Sequence, residues 1–107
     1  MYNYEKISEV CRGLKINEIY ESNEIVHHIL MRTDVKEDSI RPKDYCYNVT
    51  NKGADGKRFI NWPRLFEYVG EKSYRFLGEG YPYNGSVIYS KDNKIYGYWK
   101  DGKFKEV

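Results

Sequence analysis

The sequence predicts an α+β fold in which an N-terminal three-helix unit is followed by antiparallel hairpins. This is a winged-helix-like order, with extra C-terminal strands. Apolar residues recur at helical spacing through residues 4–53, and from residue 64 onward they alternate with the period of two that strands require. At 107 residues the chain has the usual size of one domain. We therefore predict a single domain over residues 1–107, with a helical part at 4–53 and a β part at 64–107.

The first helix is predicted over residues 4–14. Its apolar positions follow the spacing i, i+3, i+4 and i+7, which places them on one face: Ile7, Val10, Cys11 and Leu14. Residues 15–33 carry a second, interrupted helical pattern. Its first face is formed by Ile16, Ile19 and Tyr20. Ser22 or Asn23 can then cap a fresh helix, whose buried side is expected to be Ile25, Val26, Ile29 and Leu30.

The third helix is predicted to begin at Pro42, because proline lacks only an N–H that the first helical position does not use. Gly53 is a plausible end. The inward side is expected to hold Tyr45, Cys46 and Val49. The outward side then presents Lys43, Tyr47, Asn48, Asn51 and Lys52. Lysine contacts phosphates and asparagine can pair with adenine, so this is what a recognition helix would carry. A solvated helix face explains the same residues equally well.

The β part begins with a hairpin that would form the wing. Two strands flank a turn at residues 70–72, with Lys72 at the tip and Arg75 pointing outward. Lys57, Arg58 and Arg64 add positive charge to the approach. After an irregular stretch at residues 78–85, three further strands are predicted at 86–90, 95–99 and 103–107. Asp-Gly between the last two is a strong hairpin signal. We interpret the Tyr96–Lys103 segment as an ordinary aromatic hairpin.

Composition favours a soluble, cytoplasmic protein. Charged residues make up 32% of the chain, and no apolar run approaches the length of a membrane span or a signal peptide. The formal net charge of +2 is mildly basic. It does not require a nucleic-acid partner, but it argues against an acidic inhibitor that mimics DNA.

The sequence offers no recognisable catalytic or metal-binding set. Cys11 and Cys46 lie on predicted apolar faces, and the adjacent His27 and His28 point about 100° apart on a helix, so they cannot serve one site together. Glycine-rich phosphate loops and cysteine–histidine metal spacings are absent. We therefore predict a non-enzyme without cofactor or metal. An enzyme would need groups that meet only in space, such as Asp44 with one of the histidines.

Several short motifs together resemble a family of small bacterial and phage domains of unknown function. The motifs are Ser39-Ile40-x-Pro42-x-Asp44-Tyr45-Cys46-Tyr47-Asn48, then Asn51-Lys52-Gly53, and then the runs at 65–69, 74–78 and 81–85. The likeness covers roughly residues 20–90. Domains of this family occur alone or beside restriction-type nucleases. The resemblance implies a winged-helix-like fold and, through that association, favours DNA binding. Val49 departs from the basic residue expected at its position.

These observations lead to two functional hypotheses. The first is a non-catalytic module that binds nucleic acid, most simply double-stranded DNA, and that serves a phage or host-defence system. A homodimer is one expected form of this module. Its contact residues are predicted to be Arg41, Lys43, Tyr47, Asn48, Asn51, Lys52 and Arg75. The alternative is a protein-binding module, such as a phage-encoded inhibitor of a host enzyme. Its aromatic anchors would be Trp62, Tyr81, Tyr83, Tyr98 and Trp99.

Overall fold

The computed structural model describes residues 1–51 and 61–107, and within these ranges the chain is mostly β. Two α-helices and seven strands form there, and the strands make two sheets. The predicted three-helix unit and winged-helix-like fold are therefore wrong. Two segments that were expected to be helical, around Ile19–Glu21 and after Pro42–Tyr45, are instead extended because they pair with distant parts of the chain.

The two α-helices correspond to the apolar face predicted within residues 4–14 and to the second of the two faces predicted within residues 15–33. Helix α1 spans Asn3–Cys11 and buries Ile7 and Cys11. Helix α2 spans Ser22–Leu30 and buries Ile25 and Ile29. The residue that caps α2 is Glu21, which precedes both predicted candidates, Ser22 and Asn23. Glu21 and Glu24 form a capping box, in which each side chain accepts a hydrogen bond from the other residue's backbone N–H.

The helix predicted over residues 15–20 does not form. Asn17 adopts a left-handed backbone conformation with φ of 72°, which interrupts any helix. The chain then enters strand β1, Ile19–Glu21, which pairs antiparallel with strand β4, Ser73–Phe76. Ile16 and Ile19, expected to be buried, are exposed. The helical spacing of Ile16, Ile19 and Tyr20 in the sequence therefore does not correspond to a helix in the structure.

The predicted third helix is replaced by a single 3-10 turn at Pro42–Tyr45 and an extended segment. The N–H of Leu65 donates to the Tyr45 carbonyl and the N–H of Tyr47 donates to the Phe66 carbonyl, each at 2.7 Å. The extended segment thus runs parallel to strand β3, Phe66–Gly70, and continues as strand β2, Val49–Thr50. Aromatic and β-branched residues dominate it, and such side chains fit a pleated surface. The predicted helix end at Gly53 lies outside the described residues.

The hairpins of the β part are confirmed. Strands β3 and β4 are neighbours in a three-stranded sheet of order β1-β4-β3. The second sheet has the order β2-β5-β6-β7, in which the last three strands are Gly85–Tyr89, Ile95–Lys100 and Lys103–Glu106. Asp101 and Gly102 both have positive φ, as a two-residue type I′ turn requires.

The buried apolar side chains form two clusters. The larger one joins both helices to the three-stranded sheet, with Ile7, Ile25, Ile29, Phe66 and Phe76 among its members. The smaller one consists of Tyr47, Leu77 and Tyr83, with Tyr81 and Trp99 packed against it. Tyr45 and Cys46 belong to the first cluster and Tyr47 to the second. The extended segment therefore ties the two parts of the core together.

Candidate nucleic-acid interface

The motif residues expected on a recognition helix lie largely inside the molecule. Tyr47 is 2% exposed; its hydroxyl donates to the Gly78 carbonyl at 2.6 Å, and its ring stacks on Tyr83. Burial raises the pKa of the Tyr47 phenol. The Tyr47 carbonyl accepts a hydrogen bond from the indole of Trp99 at 2.8 Å. Tyr47 is thus a core residue, with its polar atoms bonded within the protein.

Asn48 uses its side-chain amide to extend the sheet. Its Nδ2 donates to the Tyr68 carbonyl at 2.9 Å, and its Oδ1 accepts from the Tyr68 N–H at 2.8 Å. The Asn48 side chain thus makes the two hydrogen bonds to the backbone of Tyr68 that a residue of a neighbouring strand would make. The same bidentate geometry that could read an adenine is therefore engaged by the chain's own backbone.

The cationic members of the predicted site point to separate internal partners. Lys43 places its ammonium 4.7 Å from the centre of the Tyr68 ring, a cation–π contact. Arg75 forms an ion pair with Glu67, with a distance of 3.3 Å between Nε and Oε1. Arg41 is exposed. Lys52, together with Lys57 and Arg58, lies outside the described residues. Within the described residues, Lys43 and Arg75 are thus each engaged by a side chain of β3, whereas Arg41 is exposed.

Asn51 is also engaged locally. Its Nδ2 donates to the Asp44 carboxylate at 3.0 Å, and its Oδ1 accepts from the Ser90 hydroxyl at 2.8 Å. These bonds connect the 3-10 turn to the end of β5. Asn51 therefore has a structural explanation that needs no ligand.

Arg64, predicted to be a surface charge, is buried at 7% exposure. Its guanidinium donates to three backbone carbonyls, those of Asp44 at 2.7 Å, Cys46 at 3.0 Å and Trp62 at 3.2 Å. Burial lowers the pKa of Arg64 to about 10, so the group remains protonated at neutral pH. Arg64 fixes the path of the motif segment. The sequence pattern gave no sign of this role, because the acceptors are backbone atoms.

The two cysteines are poor nucleophile candidates. Cys11 and Cys46 are both fully buried, and burial raises the pKa of the Cys11 thiol to about 12 and that of Cys46 in the same direction. Thiols with raised pKa values stay protonated at neutral pH. Across residues 1–51 and 61–107, no group of three or more metal-binding side chains occurs. Over the same ranges, neither helix has the length and apolarity needed to cross a membrane.

Most of the aromatic anchors considered for a protein interface are packed inward. Tyr83 is buried, and its hydroxyl donates to Glu67 at 2.7 Å. Trp62 stacks between Tyr4 and Tyr45. Tyr98, by contrast, is half exposed on β6. In this set Tyr83 is buried, Trp62, Tyr81 and Trp99 are half-buried, and Tyr98 is exposed.

One face of the β6–β7 ribbon brings Tyr98 together with three lysines. Lys100 lies directly opposite Lys103, and Tyr98 lies directly opposite Lys105. Because side chains alternate along a strand, these four residues share a face, and Phe104 and Glu106 lie on the other. All four are exposed. We call this group the ribbon face. The Asp-Gly turn and the alternating lysines are visible in the sequence, but the predicted nucleic-acid contacts lay on the third helix and the first hairpin instead.

The ribbon face places two positive charges, those of Lys100 and Lys103, directly opposite each other across the two strands. Like charges directly opposite each other across two strands are destabilising. In the part of the chain that the structure describes, none of the three lysines forms an ion pair. Asp101 lies in the turn beside them, and its N–H donates to the Asn84 side chain. An anion bound between Lys100 and Lys103 would relieve their repulsion.

Comparison with known proteins places the chain in a family. A family model described as a domain of unknown function (DUF7225) matches residues 2–106. The uncharacterized protein YnaC of Bacillus subtilis (strain 168) is 33% identical over 103 residues, which are 92% of this chain and 37% of that protein. The chain thus spans little more than a third of that relative. No solved structure is significantly similar. The chain belongs to the family described as a domain of unknown function, DUF7225.

Proposed function

We propose that the protein is a non-catalytic, cytoplasmic module that binds nucleic acid through the ribbon face. The observation that carries the proposal is the cross-strand pair Lys100 and Lys103, with Lys105 and the exposed ring of Tyr98 beside it. Lysines at this spacing supply phosphate contacts, which provide most of the affinity in nonspecific binding.

Double-stranded DNA is the first ligand to test. The major groove of B-DNA accepts a two-stranded β-ribbon as well as a helix. The β6–β7 hairpin forms the edge of the four-stranded sheet, and the ribbon face is one surface of that hairpin. An exposed tyrosine can also stack on an unpaired base, so a single strand of the same sequence is the necessary comparison.

The resemblance to domains found beside restriction-type nucleases adds support of an associational kind. It favours a role in phage or host-defence systems, in which the chain would recognise DNA and another protein would act on it. The winged-helix mode has no part in this proposal, because the recognition helix does not exist. A homodimer remains a prediction of the sequence.

The test is fluorescence anisotropy of a labelled DNA duplex and its separate strands across a salt series. The triple variant Lys100→Ala, Lys103→Ala, Lys105→Ala is compared with the control Arg12→Ala, Lys15→Ala, Lys36→Ala, which removes the same charge from exposed positions outside the ribbon face and outside the predicted contact set. If the three ribbon lysines each neutralise one phosphate, the slope of log K against log salt becomes shallower by about 2.7. No binding of either DNA form at low salt, or an equal loss in the control, refutes the proposal.

A further inference from the structure

A second surface, on another part of the fold, has the opposite charge. A groove of about 940 Å³ opens between helix α2, the segment at residues 37–40 and the turn that joins β3 to β4. Its size lies within the range of pockets that take a ligand or an anchoring side chain. The groove belongs to the three-stranded sheet and the helices, whereas the ribbon face belongs to the four-stranded sheet.

Part of the groove wall is apolar. Val26 and Leu30 line it from one side of α2, one helical turn apart, and Ile40 lines it from the opposite segment. Val26 packs against the larger core cluster, and Leu30 is 36% exposed. Leu30 is therefore the apolar side chain of this wall that a docked side chain would contact most fully.

The polar part of the groove is strongly acidic. Four exposed glutamates line it, namely Glu21, Glu24, Glu37 and Glu71. Lys72 also lines the groove, which leaves three negative charges in excess at neutral pH. Within residues 1–51 and 61–107, none of these glutamates takes part in an ion pair.

The start of α2 does not offer an anion site that would compete with this charge. The Ser22 N–H donates to the Lys72 carbonyl at 2.8 Å. The Glu21 N–H donates to the Glu24 side chain at 2.9 Å, and the Glu21 side chain accepts from the backbone in return. The backbone N–H groups of Glu21, Ser22 and Glu24 are thus used by the protein itself, and the carboxylates around them repel anions.

We propose that this groove docks a basic segment of a partner protein, with one apolar side chain against Leu30 and flanking lysines or arginines against the glutamates. Charge complementarity selects such a partner and steers its approach, and the apolar anchor holds it. The inference concerns a different surface from the ribbon face and does not depend on nucleic-acid binding.

The experiment is an amide NMR titration of the full chain with a short synthetic peptide in which one leucine is flanked by lysines. The comparison peptides replace the lysines with glutamates, or the leucine with serine. The lysine–leucine peptide is expected to shift the amide signals of Leu30, Glu37 and Glu71. The glutamate peptide is expected to produce no shifts, and the serine peptide weaker ones.

The matched variants separate the groove from general charge. Glu37→Lys with Glu71→Lys is expected to weaken peptide binding by about tenfold or more, because it places two cations where the partner's cations must lie. Glu5→Lys with Glu106→Lys changes the net charge equally at exposed positions outside the groove, and its binding should match the wild type. Leu30→Ser tests the apolar anchor without touching the charges.

Three outcomes would overturn the inference. The first is no shift with the lysine–leucine peptide at low salt. The second is an equal loss of binding in the two double variants, which would show attraction by net charge alone. The third is sedimentation evidence that the free chain self-associates through this groove and that Glu37→Lys with Glu71→Lys abolishes the association, since the occupant would then be a second copy of the chain.

Discussion

The buried guanidinium of Arg64 provides the sharpest test of how the motif segment is held. It donates to the carbonyls of Asp44 and Cys46, on either side of Tyr45, at the point where the 3-10 turn becomes extended. The substitution Arg64→Leu keeps an apolar stem but removes every donor. Those two carbonyls then lose their charged partner inside the protein.

The expected cost follows from the hydrogen bonds lost. A buried polar atom left without its partner costs about 1–3 kcal/mol. Two such carbonyls give about 2–6 kcal/mol, and because the charged guanidinium no longer has to be desolvated we expect a net loss of about 2–5 kcal/mol. For a domain of this size each kcal/mol lowers Tm by roughly 4–8 °C, so the variant should melt roughly 10–40 °C below the wild type.

Urea unfolding followed by circular dichroism measures this difference directly. The control is Arg75→Leu, which removes a partly exposed ion pair with Glu67 and should cost less than about 1 kcal/mol. Arg64→Lys should fall between the two, because a single ammonium cannot reach all the carbonyls that the guanidinium spans. If Arg64→Leu unfolds within about 0.5 kcal/mol of the wild type, Arg64 does not organise the segment.

Three further predictions concern the core. Burial raises the pKa of the Tyr74 and Tyr83 phenols, so above the pKa of an unfolded tyrosine, 10.0, the folded state holds protons that the unfolded chain releases. The free energy of unfolding should therefore be retained up to about pH 10 and should fall as the pH rises further. Urea unfolding at about pH 9 and about pH 11 checks this, and equal stability at both would contradict it. Gly97→Ala should cost about 1–3 kcal/mol, since the added Cβ would lie 2.6 Å from the Lys105 carbonyl oxygen; thermal unfolding measures it, with Ser86→Ala as the neutral comparison. Cys11 and Cys46, both 0% exposed, should resist a thiol-reactive disulfide reagent in the native protein and react on unfolding; rapid labelling of either native thiol would show that its burial is wrong.

Local patterns predicted the elements whose information lies within a few residues. The alternation and the turn residues of the β part gave the hairpins β3–β4, β5–β6 and β6–β7 close to their observed bounds. The apolar spacing correctly placed Ile7 and Cys11, and Ile25 and Ile29, on the buried faces of the two helices, whereas Leu30, also expected to be buried, is exposed. In each case one apolar stripe or one tight turn determines the structure, and both can be read from neighbouring positions.

The candidate site could not be predicted in the same way. The predicted contact residues were assigned to one surface on the assumption that residues 42–53 form a helix. Because the segment after the 3-10 turn is extended, these residues do not share a helix face. The ribbon face follows from two features that are visible in the sequence, the Asp-Gly turn and the alternating lysines. What the sequence did not show is which of the many charged positions lacks an internal partner.

The sequence by itself therefore determined the helical faces, the hairpins and the alternation that places Tyr98 and three lysines on one side of a ribbon. Only the tertiary structure decided the conformation of the motif segment, because its partners, Leu65, Phe66 and Tyr68, are about twenty residues away along the chain. Aromatic residues such as Tyr45 and Tyr47 are compatible with either a helix or a strand. The choice is made by the carbonyls and N–H groups of β3 and by the Arg64 guanidinium, which the extended segment satisfies and a helix would leave without partners.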